Sequence, residues 1–155
     1  MKYYAKIENE VTKTVSVGTG TNTKFYKSIG MELMDVEQGY DGNWYVEGYA
    51  PIKPLEESIE EAYKDFDSRV EKRLNDFAAT RRYSSINSAC SYSTSTDAQF
   101  KLEGEYCVSI RDLTYRKCYD LLEEYIPLVL SGEREIPSWE EIESQLPEIK
   151  WPDEE

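Results

Sequence analysis

Histidine is absent from the sequence, and its absence removes several kinds of chemistry at once. Histidine is the side chain that most often serves as a general acid or base near neutral pH, and it is a common metal ligand. Ser-His and Cys-His nucleophilic sites and imidazole-ligated metal sites are therefore excluded. Cysteine is scarce, since only Cys90, Cys107 and Cys118 are present and their spacing matches no zinc motif. We expect three buried thiols in a reducing compartment.

Long apolar runs and an excess of positive charge are also missing. No stretch approaches the roughly 18 apolar residues that a membrane span requires, and the first residues, MKYYAKIENE, lack the apolar core of a signal peptide. We therefore expect neither membrane insertion nor secretion. The chain carries 31 acidic and 18 basic side chains, for a formal net charge of -13. A surface this acidic repels phosphate backbones, so nucleic-acid binding is disfavoured.

Aromatic residues and unevenly placed charges are what the chain does contain. Its 155 residues include 13 tyrosines, 4 phenylalanines and 3 tryptophans, and 39% of the residues are hydrophobic. This apolar content suffices for a core in one domain or in two small modules. Residues 1–54 carry 6 basic and 7 acidic side chains, whereas residues 55–155 carry 12 and 24. Most of the negative charge therefore lies outside the aromatic-rich N-terminal part.

Residues 1–50 show the short alternating runs that are typical of β-strands. Glu8-Asn9-Glu10 and Gly39-Tyr-Asp-Gly42 have the composition of hairpin turns, and the segment from Gly18 to Asn22 is a further turn. We predict a small antiparallel sheet whose strands lie at residues 2–7, 11–17, 31–38 and 43–49. Residues 51–54 then form a linker, because two prolines within four residues suit neither a central strand nor a helix interior.

From Leu55 onward the apolar residues recur at steps of three and four. This period predicts an amphipathic helix over residues 55–79, with acidic residues near its positive N-terminal end. Its apolar stripe consists of Leu55, Ile59, Ala62, Phe66, Val70, Leu74 and Phe77. A stripe of about three heptads suits either packing within the chain or a coiled coil. Self-association through this helix is therefore one expectation.

Residues 80–147 predict a helical C-terminal module. A short helix is expected within the Ser- and Thr-rich stretch 82–96, and a long helix runs from about Asp97 to Leu130 before Ser131-Gly132 stops it. Ser138-Trp-Glu-Glu141 has the form of a capping box and opens a last short helix. The expected buried face of the long helix comprises Phe100, Cys107, Ile110, Leu113, Cys118 or Thr114, Leu121, Tyr125 and Leu128. We expect residues 148–155 to form an extended acidic tail, with Ile149 and Trp151 available to dock.

Motifs that carry chemistry are sparse. The stretch from Gly18 to Lys24 lacks the Gly-Lys-Ser/Thr ending of a phosphate-binding loop, and the paired glutamates lie on solvated helix faces. No EF-hand loop is present. Arg81-Arg82 would suit either an anion or a salt bridge at a helix end. The sequence therefore predicts no catalytic residue, no cofactor and no metal site, and we expect a protein that is not an enzyme.

An interaction surface is the remaining prediction. The N-terminal sheet has more aromatic area than one of its faces can bury, so some rings cover the chain's own helices or meet a partner. Tyrosine and tryptophan are enriched where proteins meet proteins because they are rigid and amphipathic. The candidate partner contacts are Tyr40, Trp44, Tyr45, Tyr49, Trp139 and Trp151.

Two groups of residues resemble a known family. Tyr40-Asp-Gly-Asn-Trp-Tyr-Val46, continued by Glu47-Gly-Tyr-Ala-Pro51, is similar to the N-terminal module of tail fibre assembly proteins and related small tail-associated proteins of tailed bacteriophages. The C-terminal half resembles the helical module of such proteins, at Arg82-Tyr-Ser-Ser-Ile-Asn-Ser-Ala-Cys-Ser-Tyr92, Ile136-Pro-Ser-Trp-Glu140 and Trp151-Pro152.

The resemblance implies a chaperone that binds the distal part of a trimeric tail fibre and assists its folding or assembly. Such a protein would act in the host cytoplasm during phage assembly, and some would stay in the virion tail. One alternative is a structural tail or baseplate component retained in the virion. Another is a small inhibitor of a host protein, whose acidic surface would mimic nucleic acid.

Overall fold

The computed structural model describes residues 1–153 and confirms the predicted α+β class, with 51% helix and 15% strand. The chain divides into two compact units, Met1–Pro54 and Leu55–Glu155. The division falls at the end of the Pro51–Pro54 segment, which has no regular secondary structure. Each unit has its own hydrophobic core.

The first unit is a small closed barrel of four antiparallel strands with one short helix. Its elements are β1 (Lys2–Asn9), β2 (Thr14–Gly18), α1 (Thr23–Ser28), β3 (Glu32–Gln38) and β4 (Trp44–Val46). The strand order is β1-β2-β4-β3, and β3 pairs with both β1 and β4. The first half of β3 lies beside β1, where Glu32 is opposite Ala5. The second half of β3 lies beside β4, where Val36 is opposite Val46. β2 also pairs with β4, where Thr14 is opposite Tyr45, and this last pairing closes the barrel.

The barrel core follows the two-residue alternation of its strands. Ala5, Val15 and Val36 are buried. Around them pack half-buried residues from all four strands, namely Tyr3, Ile7, Val17, Met34, Trp44 and Val46. The core is therefore small, and most of its apolar side chains keep some contact with solvent.

Local polar groups move the ends of the strands away from the predicted positions. The first turn occupies residues 10–13 and not Glu8-Asn9-Glu10, because the side-chain Oδ1 of Asn9 accepts hydrogen bonds from the amides of Val11 (2.8 Å) and Thr12 (3.1 Å). β4 ends at Val46 and not at residue 49. There the Glu37 carboxylate accepts from the amides of Gly48 and Ala50, and these two groups are thereby withdrawn from strand pairing.

The second unit is helical. It contains α2 (Leu55–Ala79), α3 (Ile86–Ser91), a 3₁₀ turn (Tyr92–Thr94), α4 (Ala98–Leu130) and α5 (Trp139–Glu143). Side-chain oxygens of Ser85, Asp97 and Ser138 accept from amides in the first turns of α3, α4 and α5. These caps satisfy helix-end donors and fix where each helix begins.

The core of the second unit forms where α2, α3 and α5 pack against α4. It includes Phe66, Val70, Leu74, Ala78, Ile86, Ala89, Cys107, Cys118, Leu121, Leu122, Ile142 and Trp151. Two residues of the expected buried face of α4 lie outside it, since Phe100 is 46% exposed and Leu113 is 55% exposed. Leu113 is one position before the stripe of Ile110, Thr114 and Cys118, so the helix turns it toward solvent.

Candidate functional site

Thiols and carboxylates are the side chains of this chain that are best suited to nucleophilic or metal chemistry. No helix within residues 1–153 has the length and apolar character to cross a membrane. No cluster of three or more cysteine, aspartate or glutamate side chains in that range is placed to hold a metal ion. All three thiols are buried. Burial raises the pKa of Cys107 to about 12 and that of Cys118 to about 11, so both thiols stay protonated at neutral pH.

The four candidate contacts in the barrel fall into two groups. Tyr40 and Tyr49 are 51% and 56% exposed, whereas Tyr45 is 6% exposed and Trp44 is half-buried against Tyr3, with ring centroids 5.4 Å apart. No ring contact among residues 1–153 joins Tyr40 to Tyr49. Of the four, only Tyr40 and Tyr49 offer most of their ring to a partner.

Tyr45 has a structural role in the turn between β3 and β4. Its hydroxyl donates to Asp41 Oδ2 at 2.6 Å, and the Asn43 side-chain amide donates to the same oxygen at 2.8 Å. The hydrogen bond from Tyr45 is the main reason why the pKa of Asp41 lies below its usual value. Gly42 has a φ of 81°, which glycine adopts easily. The Asp-Gly-Asn-Trp-Tyr motif is therefore a self-contained turn.

The two tryptophans of the second unit lie in or against its core. Trp139 is half-buried beside Phe66, with the guanidinium of Arg69 6.0 Å from its ring centroid. Trp151 is only 3% exposed, so it docks on the chain's own core, which corrects its prediction as a contact with a partner. Its ring stacks on Phe77 at 4.2 Å, and its Nε1 donates to Thr80 Oγ1 at 2.9 Å. An apolar ring with an indole donor gains more from this pocket than from solvent.

An exposed apolar cluster of the barrel lies around α1, a helix that was not predicted from the sequence. α1 has no buried residue. Phe25 is 53% exposed, Ile29 at the helix end is 43% exposed, and Leu33 on β3 is 59% exposed. Leu33 is the strand partner of Tyr4, whose ring stacks on Tyr26 at 6.0 Å. We call these five residues the α1 patch.

The rings of the α1 patch are contiguous, and a rigid support holds them. The ring centroids of Tyr26 and Phe25 are 5.9 Å apart. The Tyr26 hydroxyl accepts a hydrogen bond from the amide of Gly20 at 2.6 Å. A Cβ atom at Gly18 would come within 2.7 Å of the Tyr26 ring, so this glycine permits the close approach. Asn22 caps the helix by accepting from the Phe25 amide. Phe25 and Ile29 are four residues apart, and this helical spacing is the sequence signal that could have identified α1.

The surroundings of the α1 patch contain charges of both signs. A shallow cavity of about 470 Å³ adjoins the patch and is lined by Tyr4, Lys27, Gly30, Met31, Glu32 and Leu33. The unit as a whole is nearly neutral, with 6 basic and 7 acidic residues in 1–54. An apolar centre with a polar rim of mixed charge is the usual anatomy of a protein-binding surface.

Comparisons of the chain with protein-family models, with curated proteins and with solved structures found no match.

Proposed function

We propose that this chain is a tail fibre assembly chaperone of a tailed bacteriophage, which binds the distal part of a trimeric fibre through the α1 patch. The observation that carries the proposal is the exposure of Phe25, Ile29 and Leu33 on one rigid cluster. Scattered single apolar residues are ordinary on a protein surface, but a contiguous aromatic and aliphatic patch marks an interaction site.

The proposed partner has surfaces that match this patch. Strand edges and apolar faces of a β-rich trimer are uncovered until the three chains close, and uncovered faces of this kind aggregate. Contact with Phe25 and Leu33 would shield such a face. The negative charge of residues 55–155 would keep the complex soluble by mutual repulsion. The protein would act by reversibly burying apolar surface of the fibre, with no covalent step.

The resemblance to the fibre assembly family supplies the identity of the partner, and different residues carry it. The family-like segment from Tyr40 to Val46 forms the turn after β3 together with β4, and Trp151 packs in the core of the second unit. These residues support a shared fold, whereas the α1 patch supports a contact surface. The two lines of support are therefore separate.

Co-expression with the long tail fibre gene of the same phage tests the proposal. The soluble trimeric fibre is measured by size-exclusion chromatography with light scattering, with and without this chain. We expect the chain to raise the trimer yield several-fold. A Phe25→Ser, Leu33→Ser double variant should lose most of that gain, because it removes the two most exposed apolar side chains of the patch.

The matched control is Val11→Ser, which changes a 91% exposed apolar residue on the first turn, outside the patch. This variant should keep the full gain in trimer. Circular dichroism must show that both variants are folded. An equal trimer yield with and without the chain would contradict the proposed function, and an active double variant would contradict the role of the patch.

A further inference from the structure

The second unit contains an open cavity beside its hydrophobic core. The cavity has a volume of about 590 Å³ and lies where the end of α2 meets the start of α4. It is lined by Thr80, Arg81, Arg82, Tyr83, Tyr92, Phe100 and Glu103. These residues include three aromatic rings and the Arg81-Arg82 pair that the sequence singled out. The cavity is independent of the α1 patch and of the proposed fibre partner.

A buried carboxylate fixes one side of the cavity. Glu103 is 5% exposed, and its two oxygens accept from Arg81 Nη1 at 2.6 Å, from Gln99 Nε2 at 2.8 Å and from the Tyr83 hydroxyl at 2.5 Å. Burial alone would raise the pKa of Glu103, but these hydrogen bonds outweigh it and lower the pKa. The carboxylate is therefore ionised at neutral pH, and it holds the Tyr83 ring in place.

Three aromatic rings form the wall of the cavity. The ring centroids of Tyr83 and Tyr92 are 5.4 Å apart. Tyr92 makes an edge-to-face contact with Phe100, with ring centroids 5.6 Å apart. Tyr92 is 39% exposed and Phe100 is 46% exposed. The wall is thus rigid at one end and open to solvent at the other, which suits a ligand ring that stacks against it.

The two arginines differ in what their guanidinium groups contact. Arg81 binds Glu103 and also donates to both oxygens of Asp153, at 2.6 and 3.1 Å. The guanidinium of Arg82 makes no hydrogen bond or ion pair with any residue in 1–153, although Arg82 lines the cavity. A free guanidinium beside a preformed aromatic wall is a ready partner for one carboxylate.

The backbone of Arg82 is strained. Its φ is 68°, in the left-handed region that favours glycine, because the amides of Arg82 and Tyr83 bond back to Ala79 and Ala78 and close the end of α2. Strained positions of this kind are enriched at ligand sites. An arginine where glycine would be more stable indicates a use for its side chain.

We propose that this cavity binds a peptide segment in which a carboxylate side chain adjoins an aromatic residue. The carboxylate would pair with Arg82, and the ring would stack on Tyr92 and Phe100. A nucleic acid fits less well, because a polyanion is repelled by Glu103, which lines the cavity, by Asp153, which bonds Arg81, and by the 24 acidic against 12 basic residues in 55–155. A single carboxylate meets one unpaired cation and avoids that cost.

NMR titration of the ¹⁵N-labelled full chain tests the proposal with a defined probe, N-acetyl-Phe-Asp-amide. We expect saturable amide shifts at residues 80–83 and 92–100, with a Kd on the order of 1 mM for so small a ligand. N-acetyl-Phe-Asn-amide, which lacks the charge, should bind about tenfold more weakly. Arg82→Gly should weaken binding of the Asp probe by a similar factor, and Arg82→Lys should weaken it less.

The controls separate loss of binding from loss of fold. Arg82→Gly relieves the positive φ, so its melting temperature should rise while binding falls. Arg116→Gln removes an exposed arginine elsewhere on α4 and should leave the titration unchanged. Equal binding of the Asp and Asn probes, full binding by the Arg82→Gly variant, or no shifts up to about 10 mM would overturn the proposal. Equal shifts with inorganic phosphate alone would replace the peptide site with a simple anion site and would overturn it too.

Discussion

Thr114 places a hydroxyl in the core of the second unit without a hydrogen-bond partner. The side chain is 0% exposed, and its Oγ1 has no partner among the described residues. Thr114→Val replaces the hydroxyl with a methyl group of nearly the same shape and removes the cost of burying it. We expect the free energy of unfolding to rise by about 1 kcal/mol, measured by urea denaturation.

The matched control for this change is Thr96→Val, at an exposed position before α4. It should alter the unfolding free energy by less than about 0.5 kcal/mol, as surface changes usually do. A Thr114→Val variant that is less stable than the wild type would show that the hydroxyl has a partner after all.

At the level of single residues, the sequence supplies many aromatic side chains but does not show which of them are exposed at the surface. Tyr45 and Trp151 were expected to contact a partner, and both are buried in this structure. Tyr45 is covered because the Asp41 turn folds over its hydroxyl, and Trp151 because Thr80 supplies an acceptor for its indole. Thr80 lies 71 positions from Trp151, so that contact leaves no local pattern in the sequence, whereas Asp41 lies only four positions from Tyr45. Phe25 was not predicted as an exposed contact, because its helix is only six residues long and so shows too few repeats of the helical period to detect.

Among the elements, α4 approaches the 3₁₀ turn so closely that only glycine fits at position 104. A Cβ atom there would lie 2.3 Å from the backbone nitrogen of Ser93 and 2.5 Å from the carbonyl carbon of Tyr92. Gly104→Ala must therefore push two backbone segments apart. We expect a loss of about 2 kcal/mol in unfolding free energy, in spite of the better helix propensity of alanine. Chemical denaturation measures this loss, and an unchanged midpoint would contradict the contact.

The network around Glu103 joins α4 to the segment that follows α2 and to the segment that contains Asp153. Because the folded pKa of Glu103 is below its ordinary value of 4.5, its ionised form stabilises the fold. That stabilisation is fully present above about pH 4.5 and is lost as the pH falls through the folded pKa. Glu103→Gln should therefore cost about 2 kcal/mol at pH 7, with the gap to the wild type shrinking below pH 4.5.

Denaturation curves at several pH values measure the Glu103→Gln effect. Glu105→Gln is the control, because Glu105 is exposed and its oxygen lies 3.8 Å from Lys101 Nζ. An exposed pair of this kind contributes little, so the control should cost less than about 0.5 kcal/mol at any pH. A gap between the Glu103→Gln variant and the wild type that stays constant down to low pH would show that Glu103 does not titrate as proposed.

The α-helices of the second unit were predicted, short and long, whereas α1 and the end of β4 were not. Residues 55–79 were expected to be helical and form α2 (Leu55–Ala79), while α4 begins one residue after the predicted start at Asp97. Many turns with the same period make such helices visible in a sequence. β4 is three residues long, and the hydrogen bonds of Glu37 decide where it ends. No pattern within β4 itself encodes that boundary.

At the scale of the whole chain, the closure of the barrel was beyond the sequence. A sheet was predicted, but closure depends on β1 pairing with β3 and on β2 pairing with β4, where Thr14 is opposite Tyr45. Such pairings join residues about 30 positions apart and follow from the collective register, not from any one strand. In contrast, the difference in net charge between residues 1–54 and 55–155 follows directly from counting the charged residues in the sequence.

The unequal cores of the two units predict unequal stability. The core cluster of the first unit has three buried residues, Ala5, Val15 and Val36, whereas that of the second has fifteen. A fragment of residues 55–155 should unfold cooperatively in urea, followed by ellipticity at 222 nm, with a free energy of about 5 to 10 kcal/mol. A fragment of residues 1–54 should fall below about 3 kcal/mol, followed by fluorescence of its single tryptophan, Trp44.

A more stable 1–54 fragment, or a 55–155 fragment without a cooperative transition, would contradict this ranking of the two units. Marginal stability of the first unit has a consequence for binding. A partner that binds only the folded barrel raises its stability by an amount that grows with the concentration of the partner. Addition of the fibre tip to the 1–54 fragment should therefore shift its urea midpoint upward, whereas the Phe25→Ser, Leu33→Ser variant of that fragment should show no shift.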